Sequence, residues 1–266
     1  MELLNQKTQV IDVIHDGLNE YESNTNEDLI IRVAENIKAE MIIVYNGMVN
    51  VSRKIYLAQS SQLHILYINK ADTFVASDEY YLENDAQLRS GYYELNDNDA
   101  DIKAEVYLNG SATNAEVISS SITDANKKQY YFNCIHNVAD TTSLMKNFEI
   151  SNEGAQYAIT ASGTIRKGSY HANSRQATRV LTTSDNQSSK VTPLLLIDEN
   201  DVIASHANSL GQMNSDHLYY LMSRGLSRVQ ATGLLTLSYL LPLAEVIDDE
   251  TQKTQLESMI RNKVGL

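Results

Sequence analysis

The run Glu105-Val106-Tyr107-Leu108, followed after a short break by Thr113-Asn114-Ala115-Glu116-Val117, decides how this chain folds. Apolar residues recur at alternate positions on either side of a polar cluster. Side chains two apart on a strand share a face, so each run reads as a strand with one buried face. The cluster between them supplies the turn. Both signals return from about Thr8 to about Ile203. Ile42-Ile43-Val44-Tyr45, Lys54-Ile55-Tyr56-Leu57, Leu63-His64-Ile65-Leu66-Tyr67 and Tyr157-Ala158-Ile159-Thr160 are further strand runs. Ser60-Ser61-Gln62-Leu63, Asn84-Asp85-Ala86-Gln87-Leu88 and Glu153-Gly154-Ala155-Gln156-Tyr157 are further clusters. Aligned on a small residue and a following amide or acid, Gln62, Gln87, Glu116 and Gln156 become equivalent, separated by 25, 29 and 40 residues. Such spacings suit a coiled stack in which each unit buries its face only against the next. The expectation is a β-helix over residues 1–203; a sandwich or barrel gives similar short strands, and periodicity favours the solenoid only slightly.

Composition narrows the function. Lys plus Arg number 21 against 34 Asp plus Glu, a net charge of −13 that repels a phosphate backbone, so nucleic acid is not an expected partner. Tyr (16) far outnumbers Phe (3), and only Pro193 and Pro242 are proline, as suits many short strands joined by Asn, Asp, Ser and Thr turns. Cys134 is the single cysteine, which rules out an internal disulfide and a multi-cysteine metal cradle within one chain. The start of the chain lacks a basic region before an apolar run, and Leu234 to Ile247 is too short and interrupted to span a bilayer. The expectation is a cytoplasmic protein without a membrane partner. No Gly-x-x-x-x-Gly-Lys-Ser/Thr loop and no Gly-x-Ser-x-Gly elbow is present, so neither nucleotide hydrolysis nor serine-type hydrolysis is expected.

Residues 204–266 read as a second, helical segment. Ser215 is placed as the cap of a helix through Met222, with Gly225 just past its end. Ser227-Arg228-Val229-Gln230 reads as a capping box for a helix from Val229 to about Leu241 that is apolar almost all round. Pro242 should break it, and Asp249-Glu250-Thr251-Gln252 should open a last helix striped by Leu256, Met259, Ile260 and Val264.

The stretch Asp201-Val202-Ile203-Ala204-Ser205-His206-Ala207-Asn208-Ser209-Leu210-Gly211-Gln212, continuing through Leu218-Tyr219-Tyr220-Leu221-Met222-Ser223-Arg224-Gly225-Leu226, resembles the C-terminal signature of the SufB/SufD family. Gly163-Thr164-Ile165, Ser174-Arg175-Gln176, Leu181 to Asp185, Thr192 to Ile197, and His136-Asn137 with Thr141-Thr142-Ser143 are similar to its last strands and turn; Val51 to Leu57 resembles the opening of its core. The resemblance, over about Leu29 to Leu266, implies a right-handed parallel β-helix followed by C-terminal helices. It implies a non-enzymatic scaffold for iron-sulfur cluster assembly whose helices dock on SufC, an ABC-type ATPase. That contact falls on about Tyr219 to Leu241, with Tyr219, Tyr220, Arg224, Gly225, Leu226 and Leu234 as its candidates. The β-helix edge is expected to pair with SufB or with a second copy. His206 matches a SufD histidine at that interface, where a cluster would form transiently, none being held stably by this chain alone. Ala204 stands where the family often has cysteine, and Thr178 roughly where SufB has its C-terminal one, which places the chain nearer SufD. The family's N-terminal helical domain has no counterpart in these 266 residues.

Other residues admit chemistry beside a plain structural role. Cys134 and His136 would share a strand face and could converge on one metal, although a lone cysteine is more commonly a packed thiol. Asp185, Asp198, Glu199, Asn200 and Asp201 could ligate calcium, but a solvated acidic turn is the simpler reading. The alternatives to the scaffold are a β-helical polysaccharide-active enzyme, with a carboxylate-lined groove and no apolar patch on its helices, and a shortened paralogue that only oligomerises.

Overall fold

A computed structural model describes residues 7–23 and 26–266. Its coils pair in parallel and form a solenoid of about seven turns. Each coil contributes a strand to each of two facing columns. The first column holds β1 (Thr8–Val13), β3 (Asp28–Val33), β7 (Asp99–Leu108), β9 (Lys127–His136), β11 (Gln156–Ile165) and β13 (Ser188–Ile197). The second holds β2 (Gly17–Ser23), β6 (Gln87–Glu94), β8 (Asn114–Thr123), β10 (Thr142–Ser151), β12 (Asn173–Thr182) and β14 (Ile203–Gln212). Two long strands, β4 (Lys38–Leu57) and β5 (Gln62–Leu82), pass through both.

Alternation puts every second side chain inside. In β7, Ala100, Ile102, Ala104, Val106 and Leu108 are buried while Asp99, Asp101 and Lys103 face out. At the corner leading into the second column, Asn36, Ser60, Asp85, Ala112, Asp140 and His171 all adopt positive φ. For residues other than glycine this costs of order 1 kcal/mol. The stack offsets it with hydrogen bonds between coils: the N–H of Ser60 donates to Asn84 O (2.9 Å), that of Asp85 to Ser111 O (2.9 Å) and that of Asp140 to Tyr170 O (2.9 Å). Ser61, Ala86, Thr113, Thr141 and Ala172 follow directly and are buried, so the small residue of the sequence theme is a corner filler.

The equivalences drawn from that theme hold only in part. Gln62 and Gln87 are register partners, but the next partner is Asn114, two residues before Glu116, and Gln156 lies in the other column opposite Lys127. The coil also lengthens along the rod. Residues in contact between successive coils are 24 apart at Glu22 and Asn46, 28 at Asp99 and Lys127, and 31 at Asn152 and Thr183.

The change to helix expected after Ala204 comes later, because Ala204 to Gln212 belong to β14, in register with β12. Helix α1 (Ser215–Ser223) is capped by Asn214, not by Ser215. Helix α2 (Arg228–Leu240) carries the full Ser227–Gln230 capping box. Pro242 opens the 3₁₀ turn Leu241–Val246, and α3 (Glu250–Lys263) is capped by Asp249. Only half of the second expected box forms, since the Asp249 N–H donates to Glu40 Oε2 (3.1 Å) and the Gln252 amide turns to Glu20.

These helices run back along the outer flank of the second column. Leu237, Leu240, Leu243, Val246, Ile247, Leu256 and Ile260 pack on Ile42, Leu66, Tyr93, Ile118, Ile122 and Phe148. That is why β8 and β10 are buried on both faces over much of their length. Gly91 marks the closest approach, where a Cβ would sit 2.7 Å from Val246 Cγ2 and 3.1 Å from Leu66 Cδ1. Gly91→Val is therefore expected to cost about 1–3 kcal/mol by overpacking. Urea unfolding measures the loss, and faster proteolysis within 241–247 would locate it.

Candidate functional site

One inward row runs through the second column from Met41 through Ile65, Ser90, Val117, Met145 and Gln176 to His206. Every member before His206 is buried beneath its neighbours. His206, on the final coil, has no coil above it and is exposed. The neighbouring inward row ends likewise: Ser119 donates to Asn147 (2.8 Å), Asn147 to Thr178 (3.3 Å), and Asn208 follows Thr178 in register. Strands β13 and β14 thus leave the interior of the rod open at one end. Leu196, Ile197, Ile203 and Leu210 are exposed large hydrophobics there. Thr178 itself is buried one coil below Asn208.

Directly after β14 comes α1, none of whose residues is fully buried. Tyr219 is 76% exposed and Tyr220 56%, with Met222 and Val229 exposed beside them. The Arg224 guanidinium lies 5.2 Å from the centre of the Tyr220 ring. Gly225, at φ 95°, takes the left-handed position that lets the Leu226 N–H return to Leu221 O (3.4 Å). Leu226 and Leu234 are half-buried. Tyr219, Tyr220, Arg224, Gly225 and Leu226 therefore lie on or directly after one aromatic helix, Leu234 lies on α2, and the apolar patch that a sugar-cleaving β-helix should lack is present.

Cys134 and His136 do share the inner face of β9, but both are fully buried. His136 Nδ1 meets Thr141 Oγ1 at 2.7 Å and Nε2 meets Ser143 Oγ at 2.9 Å, so both ring nitrogens are engaged by hydroxyls. Burial pushes the imidazole pKa down to about 4 and the Cys134 thiol up to about 12. Neutral imidazole and protonated thiol are the forms this packing favours. In the acidic turns, Glu199 accepts the N–H groups of Gly168 (3.0 Å) and Asn200 (2.8 Å), and Asp201 meets His171 Nε2 at 3.1 Å. Backbone and histidine occupy these carboxylates.

The strand reading missed the charges inside the rod. Arg53 is fully buried, with Nε 2.5 Å and Nη2 2.8 Å from the two oxygens of Asp78, and its guanidinium lies 3.7 Å from the centre of the Tyr67 ring. Lys128 donates to the carbonyls of Glu94, Asn96 (2.9 Å) and Ile122 (2.8 Å). Desolvation raises the carboxyls of Glu94 and Glu149 to about 7. The signal was available, because Arg53 and Lys128 fall in phase with the inward residues of their own strands.

Residues 16–239 match the family described as SUF system FeS cluster assembly, SufBD core domain. The chain is 38% identical over 115 residues to the iron-sulfur cluster assembly protein SufD of Bacillus subtilis, covering 43% of this chain and 26% of that one. It is 23% identical over 146 residues to an iron-sulfur cluster assembly SufBD family protein of Mycobacterium leprae, covering 54% of this chain and 17% of that one. A SufBD family protein of Mycobacterium bovis matches to the same extent. These matches span about a quarter or less of each relative.

Proposed function

From the premise that this chain belongs to the SufB/SufD family of the SUF iron-sulfur cluster assembly system, whose members are scaffold components, we propose that it is a SufD-like scaffold presenting two docking surfaces. The open end takes a SufB-type partner or a second copy, and α1 with the start of α2 takes a SufC-type ABC ATPase. A nascent cluster is held transiently where the open end meets its partner, with His206 as a ligand whose neutral imidazole suits iron. The observation that carries this reading is the pair of exposed surfaces joined by two residues, Met213 and Asn214: His206 ends a buried inward row, and α1 has no fully buried residue. The net charge of −13 fits protein partners rather than nucleic acid. The run Arg228–Val246 is apolar and long enough to cross a membrane by composition, but its buried side chains pack on the β body, and the reading keeps the protein in the cytoplasm.

Co-expression with cognate SufB-type and SufC-type proteins tests it. The expected result is a co-eluting complex. Tyr219→Ser with Tyr220→Ser should lose the ATPase by at least tenfold in affinity, keep the SufB-type partner, and leave the melting temperature unchanged because neither ring is buried. A chain that elutes alone from both partners ends the proposal.

A further inference from the structure

Where the helical segment returns to the rod, three side chains from distant parts of the sequence converge. Glu40 and His64 are register partners on the outer face of β4 and β5, and Asp248 approaches from the link between the 3₁₀ turn and α3. Their ligand atoms all lie within 4.8 Å of one another. His64 Nδ1 and Asp248 Oδ2 are 3.2 Å apart. Two ligands held about 2.0–2.1 Å from one ion at a tetrahedral angle would be separated by about 3.3 Å.

Each of the three also has the supporting contact that metal ligands require. Glu40 Oε2 accepts the Asp249 N–H at 3.1 Å. Asp248 keeps Oδ2 for the site because its other oxygen, Oδ1, is held by Arg89 Nη1 at 3.2 Å. His64 Nε2 lies 2.8 Å from the side-chain nitrogen Nε2 of Gln62. Turned over, that amide presents its oxygen in the same place, accepting the His64 Nε2 proton and leaving Nδ1 free to ligate. The Arg89 charge is offset by Glu116 Oε2, 3.2 Å from its Nε. His64 is buried while Asp248 is exposed, so the donor set is fixed on one side and open to water on the other.

We propose that Glu40, His64 and Asp248 bind a divalent first-row metal ion, which fastens the helical segment to the side of the rod. One imidazole and two carboxylates form a mixed nitrogen and oxygen set suited to Zn²⁺, Co²⁺ or Mn²⁺, and two carboxylates neutralise the ion. Asp248 comes from the returning segment and the other two from the solenoid, so binding joins the two parts. The site stands apart from both surfaces of the scaffold reading and does not depend on it.

Titration of the untagged chain with Co²⁺ and Zn²⁺ is the test, read by the Co²⁺ visible spectrum, by calorimetry and by thermal unfolding. One equivalent should saturate each titration, and Zn²⁺ should raise the melting temperature. Asp248→Asn and Glu40→Gln should each weaken binding at least tenfold and remove the Zn²⁺ shift. Gln62→Leu should weaken it about 10–100-fold as a supporting residue. Neither Glu40 nor Asp248 is buried, so both variants are expected to fold, and circular dichroism checks this. Absence of a saturable signal with either ion would overturn the proposal, as would undiminished binding in the two carboxylate variants, which would place the ion elsewhere.

Discussion

Arg53→Ala is expected to destabilise the protein by about 3–5 kcal/mol, because it leaves the buried Asp78 carboxylate without its countercharge. The pair is bidentate and wholly desolvated, and the Tyr92 hydroxyl adds a 2.6 Å hydrogen bond to the same carboxylate. The guanidinium also packs on Tyr67, so truncation empties volume as well as charge. Attraction and desolvation nearly cancel in such a pair, and removing both partners should be far milder than removing one. Arg53→Met combined with Asp78→Leu should recover most of the loss. Urea unfolding of the single and double variants measures this. A single variant within about 1 kcal/mol of the parent would mean that water reaches Asp78, and the buried-pair account would fail.

Between pH 5 and 7, Glu149→Gln should remove a downward contribution to the slope of unfolding stability against pH. Burial holds the Glu149 carboxyl at about 7, above its unfolded value, and the group accepts hydrogen bonds from Ser121 and Ser151 (3.0 Å). The folded state keeps a proton that the unfolded chain releases from about pH 4.5 upward. The carboxyl's stabilising contribution is therefore full below that pH and is lost as pH rises through about 7. Glu94 acts in the same sense. His136, pushed down to about 4, acts oppositely, because below pH 6.5 the unfolded chain takes a proton that the buried ring refuses. Burial lowers His64 as well, so it joins His136 against the two carboxyls, and the variant is read by its change in slope rather than by the net sign. Removing Glu149 should shift the slope in the positive direction by up to about 1.4 kcal/mol per pH unit, the value of one proton. Denaturation midpoints at half-unit pH steps test it, and an identical slope in the variant would show that Glu149 titrates normally.

The strands and the stacking were legible because alternation survives in nearly every coil, and because corners at Ser60, Asp85 and Ala112 precede small residues that must fit beneath the next turn. Register was not, since the coil grows and fixed spacing drifts. Asn114 takes the place that Glu116 was given, and Gln156 lies in the opposite column. Helix boundaries were read to within a residue or two from Ser227, Gly225 and Pro242. Where the helices go was hidden: α2 looked apolar all round, and sequence could not say that Leu237 and Leu240 meet Ile118 and Ile122 on the flank. His206 was found through a family resemblance, whereas its exposure follows only from being last in its row. Glu40, His64 and Asp248 carried no signal at all, because long-range convergence leaves no local pattern.

The lengthening of the coil also has a mechanical meaning. The narrow early turns are filled by Ile31, Met41, Ile43 and Ile55 around the locked Arg53–Asp78 pair, while the broad late ones enclose Ser143, Asn147, Glu149, Gln176 and Thr178. Apolar filling tolerates little rearrangement, and hydroxyls and amides exchange partners readily. Stiffness is thus concentrated at the tapered end and compliance at the mouth, which leaves the protein most able to adjust its shape where another molecule would meet it.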